Sequence, residues 1–247
     1  MRKTIEKLIL ILSLLSLQAV AQPLKVCAVP QTYSALEAIT TIAPIDFKAS
    51  YATATDIYAK IANHEEKCDL VIAYDEKLPA LLIRSGKAQI NKRALVRAPL
   101  ILWSADPTLL DKTAAAVSAK RLKSIALADP RLTPVGFATH SIVSKNNFPT
   151  DYLIGHIYRA NHEYQVYAMV SSGNVQCGFL SKPLIVKDGK AQGSYWQVPR
   201  ENYQDLTYYA IPLKDSKNPR DVETLIKFLA EDTRALNYFI QAGFARL

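Results

Sequence analysis

Four short stretches place polar side chains where a strand gives way to a helix. They are "PQTYS" after residue 29, "ATATD" after residue 51, "DPRLTPVG" after residue 128, and "RANHEYQVY", which introduces a helix at 163. Helix starts carry unpaired N–H groups and about half a positive charge, so several that converge form an anion site built from neutral donors. A single such turn is ordinary capping, because Ser, Thr and Asp cap helices generally. The third turn is the most specific. Thr133-Pro134-Val135-Gly136 sets a proline at the helix start and a glycine that lets the backbone come close.

Other chemistry is missing from the chain. There is no G-x-S-x-G, no H-E-x-x-H and no S-x-x-K with its partner motifs. With eight glycines there is neither a Walker loop nor a G-x-G-x-x-G. His64, His140, His156 and His162 lack metal-ligand spacing and read as surface histidines, since zinc needs three or four convergent ligands. The expectation is a binding protein rather than an enzyme, with no cofactor and no directly bound metal.

The elements that position these turns follow a leader. "MRKTIEKLILILSLLSLQAVAQP" has a basic start, an apolar run from Leu8 to Leu17 and an Ala19-Val20-Ala21 cleavage site, so residues 1–21 read as a signal peptide. No cysteine stands at a lipoprotein position, so the product is expected to be exported, soluble and untethered. The remaining 226 of 247 residues suit one large or two modest domains. Of 30 basic and 22 acidic residues the leader holds Arg2, Lys3, Lys7 and Glu6, so the formal charge falls from +8 to +6. The basic residues are scattered without aromatic interleaving, which argues against nucleic acid.

Strand-like and helical segments alternate along the rest. Strands are expected at 24–29, 47–51 and 68–73, each followed by a helical segment, with Gly86 capping the third. This βαβαβ order argues for a parallel sheet covered by helices. A long strand at 94–105 precedes helical patterns at 108–122, 137–148, 150–160 and from 162, with strands "SIALA", "VQCGFLS" and "SYWQVP" among them. A second long strand at 205–213 and two helices end the chain. The two long strands cross between halves, giving two lobes with a cleft, where such folds bind ligands. Cys27, Cys68 and Cys177 read as small buried hydrophobes; an odd count leaves at least one thiol free or intermolecular, and Cys27 and Cys68 can pair if their strands are neighbours.

The chain resembles the periplasmic molybdate-binding proteins, type II periplasmic binding proteins that feed an ABC transporter. The resemblance rests on "IALADPRLTPVGFAT", "CDLVIAYDEKLPALLIRSGKA", "YQVYAMVSSGNVQCGFLS", "IPLKDSKNPRDVETLIKFL" and the terminal "FIQAGF", in the family's order across almost all of the chain after the leader. It implies an α/β, two-lobed type II periplasmic-binding-protein fold, each lobe a mostly parallel sheet flanked by helices. Lobe I is expected over 22–98 plus 208–247 and lobe II over 99–207. It further implies a tetrahedral oxyanion, molybdate or tungstate, held in the cleft by neutral donors, a monomer in the periplasm, and an ABC transporter membrane permease as partner.

Position by position, the family's first-turn serine falls on Gln31, beside Thr32, and the second-turn serine on Ala54, flanked by Thr53 and Thr55. The backbone donors fall on Val135 and Glu163, and the family's tyrosine falls on Ser181. Glu163 is the largest departure, because a carboxylate aimed at a dianion repels it unless protonated or coordinated to the metal. As a first-turn residue favouring the helix dipole, Glu163 is expected to face solvent, with a ligand-facing position as the alternative. The alternative ligand is a different solute, organic or cationic, which Glu163 would suit. Tyr33, Tyr51 and Trp103 would then line a roomier cleft, although core packing is the expected role of each.

Overall fold

The computed structural model describes residues 22–74, 77–145, 148 and 151–247; the leader lies outside them. The first half begins with β1 (Leu24–Ala28), a 3-10 turn (Pro30–Thr32) and α1 (Tyr33–Ile39). β2 (Phe47–Tyr51), α2 (Ala54–Ala62), β3 (Leu70–Tyr74), α3 (Lys77–Arg84) and β4 (Arg93–Ala98) follow. β3 is buried along its whole length, as the unbroken apolar run "LVIAY" requires of a strand covered on both faces. α3 closes at Gly86, whose φ of 73° is the left-handed conformation that glycine adopts without strain.

The second half holds β5 (Leu100–Ser104), α4 (Ala115–Ser118), β6 (Ile125–Ala128), α5 (Pro134–Val143), β7 (Ile157–Ala160), α6 (Glu163–Ser171) and β8 (Cys177–Ser181). A small hairpin, β9 (Val186–Lys187) with β10 (Lys190–Ala191), leads to β11 (Ser194–Gln197). The chain then returns through β12 (Leu206–Pro212) and ends in α7 (Pro219–Glu231) and α8 (Thr233–Gln241).

Two five-stranded sheets result, ordered β2-β1-β3-β12-β4 and β11-β5-β8-β6-β7. Each is mixed, with one strand (β12 in the first, β5 in the second) running against the other four. Three strands pair in parallel (β2-β1-β3 and β8-β6-β7), and the strands nearest the crossover join antiparallel. The physical reason is that a chain crossing between lobes re-enters each sheet running against the βα units already there.

Three segments differ from the sequence reading. The run at 94–105 is two strands in different sheets, broken at Pro99, which has no N–H for a ladder. The helical pattern at 108–122 yields only α4. There the Asp106 carboxylate accepts from the Thr108 N–H (2.8 Å) and Asp111 from the Thr113 N–H (2.8 Å), local turns that compete with a helix. In the segment at 150–160 the described residues form a 3-10 turn (Asp151–Leu153) followed by β7, because Gly155 at φ 81° breaks any helix.

The two crossings run side by side. Val198 N–H donates to Leu100 C=O (3.0 Å), Leu206 pairs with Ala98, and the Tyr203 hydroxyl accepts from Leu100 N–H (3.1 Å). Alternation then divides the core: Leu100 and Leu102 join the large cluster shared with the first sheet, while Ile101 and Trp103 pack with Val166 and Leu180 on the far face. β1 and β3 are neighbours, and Cys27 and Cys68 form a disulfide with Cα atoms 5.9 Å apart. Cys177 is free and buried.

Candidate ligand-binding cleft

The first turn is held by its own backbone. Thr32 donates both its hydroxyl (2.7 Å) and its N–H (3.0 Å) to Val29 C=O, so the hydroxyl is committed to closing the turn. Gln31 is left to project, and it is buried. Its Nε2 donates to Glu163 Oε1 at 2.5 Å.

Glu163 opens α6 at the end of the Ala160–His162 turn and has no exposed surface. The solvent-facing expectation is therefore corrected: the α6 N-terminus packs into the space between the sheets, and its first side chain goes with it. Its other oxygen, Oε2, accepts from the Ser181 N–H (2.9 Å) and the Ser181 hydroxyl (2.8 Å). Ser181 ends β8 and is fully buried. Burial pushes the Glu163 carboxyl up from its ordinary value, against the opposing pull of the donors on Ser181 and Gln31.

Tyrosines pack around this group. Tyr208 of β12 is fully buried, stacks on Tyr74 (centroids 5.4 Å apart, planes at 21°) and meets Phe244 edge-on. Tyr164 follows Glu163 and lies beside Gln31. Burial, then the nearby Glu163, raises both the Tyr164 and Tyr208 phenols, so each remains a donor. Among the described residues, Gln31 Oε1 and the hydroxyls of Tyr164 and Tyr208 are buried without a hydrogen-bond partner of good geometry. Such groups are costly unless something else satisfies them.

The other turns do not reach this cluster through hydrogen bonds. Thr53 caps α2, accepting from the Asp56 N–H (3.2 Å) and donating to its carboxylate (2.7 Å). Ala54 is half-buried and Thr55 exposed. Val135 is buried as the second residue of α5, and its N–H has no acceptor among the described residues. Thr133 caps that helix through the Gly136 N–H (2.9 Å). A Cβ on Gly136 would sit 2.3 Å from Asp129 C=O, so only glycine lets α5 start this close to the end of β6.

Of the eight residues singled out in the sequence, the fold thus joins Gln31, Glu163 and Ser181 directly and leaves Thr32, Thr53, Ala54, Thr55 and Val135 outside that bonded trio. Tyr74, Tyr164 and Tyr208 were not singled out. The only sequence signal for Tyr208 was its place in an apolar strand, which equally describes a core tyrosine. Trp103 of β5 stacks on Tyr167 (5.1 Å) and donates to Gln192 C=O, and Tyr51 packs against Tyr33 while donating to Glu37. Two surface grooves of about 520 and 590 Å³ lie around Gln22, Pro23 and Lys25, and none of the bonded trio lines them.

Comparison with known proteins identifies the family and the fold. Residues 24–245 match the family model described as bacterial extracellular solute-binding protein. The molybdate-binding protein ModA of Azotobacter vinelandii is 26% identical over 199 residues, 78% of this chain and 78% of that protein. ModA of Rhodobacter capsulatus is 29% identical over 130 residues, 53% of this chain and 50% of that protein. The solved Azotobacter vinelandii periplasmic molybdate-binding protein superposes with a TM-score of 0.76 at 23% identity, covering 91% of this chain and 99% of that one.

Proposed function

The chain belongs to the bacterial extracellular solute-binding proteins, and from that premise we propose that it captures a small tetrahedral oxyanion, molybdate or tungstate, in the cleft between its lobes. One observation carries the reading. Donors from both lobes, the Gln31 amide and the Ser181 N–H and hydroxyl, already converge on a single buried anionic group. A site that holds a carboxylate this way is equipped to hold an oxyanion, since neutral donors satisfy a desolvated anion without a counter-charge. The hydroxyls of Tyr164 and Tyr208, which lie beside Gln31 and Ser181 without well-aligned partners among the described residues, and the free Val135 N–H supply further donors.

In this reading lobe I is 22–98 plus 208–247 and lobe II is 99–207, hinged at the paired crossings beside Leu100 and Val198. One lobe takes the ligand first and closure recruits the donors of the other. The closed form is what the permease of an ABC transporter would recognise. The leader would place the protein in the periplasm as a soluble monomer, with no nucleic acid partner and no catalytic role.

A second reading, an organic or cationic solute, draws on Glu163 itself, a carboxylate at the centre of the cleft. The donors surrounding it favour the first. Isothermal titration with molybdate, tungstate, sulfate and phosphate separates the two, and heat with none of them would sink the oxyanion reading. Native mass spectrometry of freshly purified protein would show whether a metal oxyanion accompanies it.

A further inference from the structure

Glu163 is an unusual neighbour for an anion. Both of its oxygens are occupied by donors, one from the first-lobe turn and two from the end of β8, and it has no exposed surface. The carboxylate is thus held by the same kinds of donor that an oxyanion would use. Among the described residues, the groups that face it offer no cation: Gln31 from the 3-10 turn, Ser181 from β8, Tyr164 from its own helix, and Tyr208, stacked on Tyr74, from β12. β6 and β7, which lie under α6, add no charge to the influences on it, and His162 is exposed. An oxyanion and an ionised Glu163 therefore cannot share these donors without strong repulsion in a medium of low dielectric. Neutralising one of them with a proton removes the conflict, and the Glu163–oxyanion contact then becomes an O–H···O hydrogen bond.

Resting on the oxyanion reading above, we propose that Glu163 determines specificity by requiring one proton between its carboxyl and the bound oxyanion. A ligand that keeps a proton near neutral pH brings it into the cleft. A fully ionised ligand binds only as Glu163 takes a proton from solvent, so one proton is gained per ligand bound. Nothing is oxidised and no bond to the central atom changes; with a fully ionised ligand one O–H bond forms, on Glu163, and with a protonated ligand none forms, because the O–H is already present. The unpartnered Gln31 Oε1, an acceptor buried in the same cluster, gives a second place for a ligand-borne hydrogen.

The test is calorimetry on the wild-type chain and Glu163→Gln, whose amide donates as the protonated acid would. Measured from pH 6 to 9.5, molybdate affinity of the wild type should fall with rising pH, approaching tenfold per pH unit above the ionisation of Glu163, with one proton gained when two buffers of different ionisation heat are compared. Glu163→Gln should be flat over that range and bind molybdate at least tenfold more tightly at its upper end. Sulfate and phosphate are alike in size and geometry, so at pH 8 the wild type should prefer phosphate by at least tenfold and the variant should lose most of that preference. A flat wild-type profile with no proton gained overturns the proposal while leaving the oxyanion reading standing. Failure of every oxyanion to bind either protein overturns the oxyanion reading itself. The wild-type profile decides the matter even if the variant folds poorly.

Discussion

Gln31 and Glu163, 132 residues apart and carried by different lobes, meet through a 2.5 Å hydrogen bond at the centre of the molecule. The bond does two things at once. It satisfies part of a buried carboxylate, and it ties the first-lobe turn to the start of α6.

Removing the amide should therefore loosen closure more than folding. Gln31→Ala leaves the buried carboxylate short of one donor, at a cost of about 1–3 kcal/mol. That cost falls on the closed state, so small-angle scattering of the ligand-free variant should report a larger radius of gyration. An unchanged radius would mean that other contacts hold the lobes together.

The Gly136 position predicts a steric effect. Gly136→Ala drives a Cβ to 2.3 Å from Asp129 C=O, and α5 must shift to relieve it. The expected loss of stability is about 1–3 kcal/mol, the usual cost of overpacking, measured by urea unfolding. Oxyanion affinity should fall as well, because the Val135 N–H moves with the helix.

Protonation of Glu163 also enters stability. Its folded value lies above the ordinary 4.5, chiefly through burial. The neutral form is thus favoured by folding, and its contribution is fully present below about the ordinary value and is lost as pH rises through the folded one. Urea midpoints of wild type and Glu163→Gln, compared from pH 4 upward, should diverge in favour of the variant as pH rises. Parallel curves would show that Glu163 titrates alike in both states.

The Cys27–Cys68 disulfide spans 41 residues, and the chain-entropy relation assigns such a loop about 4 kcal/mol. The double variant Cys27→Ser/Cys68→Ser should unfold at correspondingly lower urea. Cys177 is buried, and that burial pushes its thiol up to about 12. The native protein should therefore give no rapid reaction with a thiol reagent, and the unfolded, unreduced protein should give one equivalent.

The leader makes a last, independent prediction. Protein exported from a bacterial host should begin at Gln22 on N-terminal sequencing.

Much of the fold was legible because its signals are local. Apolar runs such as "LVIAY", the Gly86 stop and the Thr133-Pro134-Val135-Gly136 start depend on neighbours in the chain, and the elements formed where those signals stand. β7 was not legible, since a short edge strand with Tyr158 and Arg159 exposed carries little alternation. Nor was the division of 94–105, where Pro99 marks a change of sheet rather than an end of extended backbone.

The sequence by itself determined which turns offer donors and that a glutamate opens the helix after the fourth of them. Only the tertiary structure decided which way that glutamate faces. A first-turn carboxylate is stabilised by the helix dipole whether it points to water or inward, so local physics leaves both directions open. The choice was made by the crossing of the chain between two sheets, which brings Gln31, Ser181 and Tyr208 from three distant segments around one carboxyl group.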